Sequence, residues 1–119
     1  MKLKLALLAA AVAVVATAAL AFAATHVGSK TSLALGPQPG KFSGVVTADD
    51  PKCVSGRKVI VYRVVPEPKQ KVAKDFSDIN GIWKRQTDEQ SGSWFAKLKP
   101  ERRGGLYCKG DKSRHVSAG

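Results

Sequence analysis

The chain has 119 residues, 20 Lys and Arg against 9 Asp and Glu, two Cys and 44% hydrophobic residues, 20 of which fall within the first 23 positions. That length caps the chain at one domain and excludes a doubly wound enzyme or a TIM barrel. Beyond the N-terminal run the chain is small, basic and sparsely apolar, with no stretch near the ~20 apolar residues of a membrane span.

Met1-Lys2-Leu3-Lys4 forms a short positive region, Leu5 to Leu20 is almost unbroken Ala, Leu and Val, and Ala21-Phe22-Ala23 places small residues at both cleavage-recognition positions. Residues 1–23 therefore read as a secretory signal peptide cut after Ala23. The alternative, an uncleaved anchor, is opposed by the shortness of the run and the motif after it. No Cys stands close behind it for lipid attachment, and the C-terminus Ser113 to Gly119 carries no hydrophobic tail. A free, secreted protein is expected. In an oxidising compartment Cys53 and Cys108 have only each other to pair with, so one intramolecular disulfide is predicted. A redox or metal role is poorly supported, since there is no Cys-x-x-Cys and no His close to Cys53.

Residues 24–40 are rich in Thr, Ser, Gly and Pro around the island Leu33-Ala34-Leu35, and read as a flexible tether with room for one short edge strand. Residues 41–119 are expected to form the domain, an all-β, Ig-like or prealbumin-like sandwich of six to seven strands. The predicted strands are Phe42 to Thr47, Arg57 to Val65, Ile82 to Thr87, Ser93 to Lys99, Gly105 to Cys108 and Lys112 to Ser117. Val59-Ile60-Val61-Tyr62 is apolar on both faces and reads as a central strand, with Arg57 and Arg63 on the face of Val59 and Val61. Trp94, Ala96 and Leu98 alternate with Phe95, Lys97 and Lys99, one side buried and one mostly wet. Lys69 to Gly81 is the only region where a helical turn fits.

Gly44-Val45, Cys53-x-x-Gly56-Arg57-Lys58-Val59-x-Val61-Tyr62-Arg63, Thr87-Asp88 with Gly92-x-Trp94, and Gly105-Leu106-Tyr107-Cys108 together resemble the carboxypeptidase regulatory-like, or transthyretin-like (prealbumin-like), domain over residues 42–117. The closer likeness is to the Cys-bridged version common in secreted actinobacterial proteins. The resemblance implies a seven-stranded module that supports, tethers or binds, and does not itself catalyse. One enzymatic class of that fold, the hydroxyisourate hydrolases, pairs two histidines with an arginine and ends in Tyr-Arg-Gly-Ser. Here His26 precedes the strand that should carry the first histidine, and the chain ends Ser-Arg-His-Val-Ser-Ala-Gly. His26, Arg57 and His115 are therefore not expected to share a site. A small transthyretin-like hydrolase and a purely structural domain without ligand remain the two alternatives to a binding module.

Other chemistry is thin. There is no Gly-x-Ser-x-Gly, and Asp49-Asp50 and Asp88-Glu89 stand beside turn residues, which favours turn formation over paired-carboxylate catalysis. Asp75 to Gly81 fails as a calcium loop, because Gly81 in the sixth position puts Phe76 where an acid must stand and Thr87 where a Glu belongs. No phosphate-binding glycine motif or zinc spacing is present, so no metal and no cofactor are expected. Charge does stand out. Without Lys2 and Lys4 the net charge is +9, and Lys97, Lys99, Arg102 and Arg103 cluster around Pro100 as the candidate anion-binding patch. Arg102-Arg103-Gly104-Gly105 is expected to be an exposed loop. The partners this suggests are an anionic cell-envelope polymer, an acidic polysaccharide, lipid headgroups or another secreted protein, with nucleic acid behind them; the competing reading is charge that only solubilises. Trp83 beside Lys84-Arg85 is either a stacking surface or core.

Overall fold

The computed structural model describes residues 24–118, so the signal-peptide reading of residues 1–23 lies outside the described residues. The chain is all-β. In order the strands are β1 (Thr25–Val27), β2 (Ser29–Thr31), β3 (Ala34–Leu35), β4 (Lys41–Ala48), β5 (Lys58–Val65), β6 (Gln70–Phe76), β7 (Ile82–Gln86), β8 (Gly92–Leu98), β9 (Glu101–Arg103), β10 (Leu106–Cys108), β11 (Asp111–Lys112) and β12 (Val116–Ala118). The only helical element among the described residues is a 3₁₀ turn at Pro51–Cys53, capped by Asp50, whose carboxylate accepts from the Lys52 N–H.

Two sheets face each other. One runs β11-β8-β5-β6, with β12 also on β8; the other centres on β4, which pairs with β2, β3 and β7. Inward positions of both sheets interlock as one core: Phe42, Val46 and Trp83 from the second sheet meet Val59, Val61, Trp94, Ala96 and Leu98 from the first. β5 is central and buried on both faces, as its unbroken Val-Ile-Val demands. Trp83 resolves to core: it is 1% exposed, and its indole N–H donates to Thr31 Oγ1 at 3.1 Å. Gly44 makes that placement feasible, since a Cβ there would lie 2.6 Å from the Trp83 ring and 2.2 Å from the Ser32 carbonyl. Gly44→Ala is expected to cost about 2 to 3 kcal/mol, read as a lowered urea midpoint at unchanged m-value.

A third, small sheet, β1-β10-β9, closes one end of the sandwich. Beneath it the Cys53–Cys108 disulfide, Cα–Cα 5.5 Å, sits with Val27, Ala48 and Leu106 in a second apolar cluster, both cysteines fully buried. It fastens the 3₁₀ turn to β10 across 55 residues, so replacing both cysteines by Ala is expected to lower stability by about 4 kcal/mol in the chain-entropy picture. Urea denaturation of the variant and the parent compares the two directly.

Four sequence expectations change. Residues 24–40 are not a free tether up to Leu35, because β1 joins β10 in parallel (Thr25↔Leu106), β2 pairs with β4 (Ser29↔Ala48) and β3 pairs with β4 (Leu35↔Phe42). The region expected to hold a helical turn contains β6, paired with β5 through a bulge at Val72. Glu101–Arg103 is a strand, so the expected Arg102-Arg103 loop reduces to the turn at Gly104-Gly105. The single C-terminal strand is split into β11 and β12 at Ser113, whose N–H donates to the Ala96 carbonyl and whose hydroxyl accepts from the Ala96 N–H.

Candidate basic face of the sandwich

Side chains alternate across a strand, so register decides which cations meet. In the β6-β5-β8-β11 sheet one row reads Lys74, Ile60, Lys97, Lys112. The next row on one side is Phe76 and Lys58, with Lys99 one residue past the end of β8, its N–H donating to the Lys58 carbonyl at 3.0 Å. On the other side Lys71, Tyr62 and Phe95 line up. Strands lie about 4.8 Å apart, so neighbouring ammonium groups stand within one Debye length and their fields add.

Tyr62, Phe95 and His115 form a ladder across this face. Tyr62 and Phe95 are 5.3 Å apart between ring centres with planes 17° apart, and Phe95 and His115 5.3 Å and 14° apart. Lys69 Nζ lies 5.4 Å from the Tyr62 ring centre and 6.0 Å from that of Phe95, and Lys112 Nζ lies 5.9 Å from Phe95. Lysine stems also explain why Ile60 and Phe95, though outward, are only 2% and 6% exposed. With both its faces covered, Phe95 is a rigid ridge that holds cations in place and gives no platform for a sugar ring.

The acids of these strands are turned away. Asp75 pairs across from Val59 on the inward side, and its Oδ2 accepts from the Lys84 N–H at 2.9 Å. Asp111 pairs across from Leu98, and its Oδ2 accepts from the Thr31 N–H at 2.9 Å. No outward position of β5, β6, β8, β11 or β12 holds Asp or Glu. Lys97 and Lys112 stand directly opposite each other, an arrangement that costs stability unless an anion joins them.

The four-residue patch read from the sequence is divided. Lys97 lies inside the basic face and Lys99 at its border, whereas Arg102 and Arg103 belong to the small sheet. Arg103 is tied down by Glu101 and by the Lys52 carbonyl, 2.7 Å from its Nη1. Arg102 stands across from Tyr107, which packs on His26 with ring centres 5.2 Å apart.

Arg57 is a different kind of cation, with a fully buried side chain. Its Nη1 donates to Ser29 Oγ at 3.0 Å and the Cys53 carbonyl at 2.8 Å, and its Nη2 to the carbonyls of Lys99 and Lys109, both at 2.9 Å. Glu101 Oε2 lies 4.0 Å from Nε. Burial pushes this guanidinium below its ordinary value, Glu101 pulls it back up, and Arg103 pushes it down further. The residue laces together the segments around the disulfide. Neither histidine is among its partners, since His26 packs on Tyr107 and His115 on Phe95, so the three do not form a catalytic set. Asp78 Oδ1 accepts from the N–H groups of Asn80 and Ile82, making the Asp75 to Gly81 region a strand end and a turn. Among the described residues no three His, Cys, Asp or Glu side chains gather as a metal site.

No family model, curated protein or solved structure matches this chain. The disulfide is compatible with an extracellular location, and no helix among the described residues is long and apolar enough to cross a membrane.

Proposed function

We propose that this is an exported, non-catalytic β-sandwich module that binds an anionic polymer of the cell envelope across the outer face of the β6-β5-β8-β11 sheet. The observation that carries the reading is the single sign of that face: lysines from four segments surround Ile60 and the aromatic ladder, with every carboxylate of those strands turned inward. The leader at residues 1–23, the buried disulfide and the resemblance to a carboxypeptidase regulatory-like, transthyretin-like module support export and a binding role. Primary ammonium groups are point charges without the planar fork of arginine, which suits a flexible chain of phosphates or carboxylates better than one fixed anion.

The test is a titration of the purified protein with poly(glycerol phosphate), a polyuronate and duplex DNA over a range of salt. Five to six lysine contacts give a slope of about −4 in log K against log salt, taking about 0.7 per contact as for single-stranded polyanions. Binding that ignores salt removes the electrostatic basis of the proposal.

A further inference from the structure

We infer that the cleft between the free edges of β6 and β7 is a second site, a groove in which an extended acidic peptide from a partner protein adds as a strand. β6 is hydrogen-bonded to β5 only and β7 to β4 only, so each presents an open backbone edge. The two edges are pinned at one end, where Asp75 Oδ2 accepts from the Lys84 N–H. Away from that pin they enclose a cleft of about 700 Å³ between residues 70–74 and 85–89. An unpaired edge is a ready template for strand addition, with main-chain hydrogen bonds giving affinity and alternate side chains giving selectivity.

The charge in the cleft specifies the occupant. Arg63, Lys71, Lys74 and Arg85 line it against Asp88 and Glu89. Arg63 is incompletely satisfied there. Its Nη2 donates to Gln70 Oε1 at 2.6 Å and its Nη1 is 3.6 Å from Glu89 Oε1, while its Nε is buried with no partner. A carboxylate entering the groove supplies the missing acceptor and displaces the loosely held Glu89. Val72 and Ala73, half-buried against the core, give the peptide's alternate positions an apolar footing. The matching ligand is therefore a strand of alternating acidic and β-branched residues, recognised along the backbone edge beside Arg63 and Arg85, where the groove borders the lysine face and shares Lys71 and Lys74 with it.

The test uses an acetylated eight-residue peptide of alternating Val and Glu. Its controls are a Val and Lys version and one N-methylated at alternate amides, all read by amide chemical shifts of the whole protein. Binding by the acidic peptide alone, with shifts at residues 70–74 and 85–88, is expected. Arg63→Gln and the exposed Arg85→Gln are each expected to weaken it about tenfold, and Lys97→Gln with Lys112→Gln to leave it unchanged. The surface variant guards against a folding defect in the first. Shifts confined to β5, β8 and β11 with none at residues 85–88, undiminished binding of the N-methylated peptide, no binding at all, or dimerisation through these edges would each overturn the inference.

Discussion

Replacing Lys74, Lys97 and Lys112 together by Gln is expected to abolish polyanion binding at physiological salt while leaving the fold at least as stable. The three occupy one row across the sheet, with Ile60 between the first two. Each lost contact removes about 0.7 from the salt slope, so the slope should fall by about 2 and affinity by two orders of magnitude or more. A buried cation would be missed by the fold, but these are not buried: Lys74 and Lys112 are exposed and Lys97 half-buried. Removing the opposed pair Lys97 and Lys112 relieves a repulsion, so the thermal midpoint should hold or rise slightly. Replacing Arg102 and Arg103 should lower affinity far less, because they lie on another sheet and Arg103 is committed to Glu101 and Lys52. Salt titrations and thermal melts of the two variants side by side separate a binding defect from a folding one.

The second large effect is on stability. Arg57→Met keeps the aliphatic stem and removes a guanidinium that donates to Ser29, Cys53, Lys99 and Lys109, leaving three carbonyls without that donor. Exchanging a buried ion for an apolar side chain is sometimes harmless, but here the orphaned acceptors remain in place. The expected loss is about 3 to 5 kcal/mol, or roughly 15 to 30 °C in the midpoint of a domain this size. Arg57→Lys should recover only part, since one ammonium cannot reach acceptors arranged around a planar fork. An Arg57→Met protein as stable as the parent in urea would show that the lacing is dispensable and that the disulfide alone holds this end together.

The two-faced apolar run of β5, the alternation of β8 and the disulfide were legible in the sequence. Strand β6 was hidden by composition and by its bulge. Gln70-Lys71-Val72-Ala73-Lys74 is poor in strand formers, and the extra residue at Val72 breaks the period of two that marks a half-buried strand. β1 and β2 were hidden for a different reason. They are three residues long and are held by partners far along the chain, 81 positions away for Thr25 and Leu106, which no local pattern records.

The same physics explains the basic face. Lys97 and Lys99 are neighbours in sequence, as are Lys69, Lys71 and Lys74, but these two groups meet each other and Lys58 and Lys112 only through sheet register and loop reach. Adjacency in sequence misled at Arg102-Arg103, because neighbouring residues on a strand point to opposite sides. Arg57 did carry a signal: it shares the inward register of Val59 and Val61, which marks a cation that must find buried acceptors.

The most direct measurement is acylation of the lysines by an amine-reactive reagent with and without poly(glycerol phosphate), resolved residue by residue by mass spectrometry. Protection concentrated at Lys58, Lys71, Lys74, Lys97 and Lys112, with Lys30, Lys52 and Lys109 reacting as before, is the expected result. Uniform protection of all lysines, or protection centred on the small sheet, would contradict a binding face on the β6-β5-β8-β11 sheet.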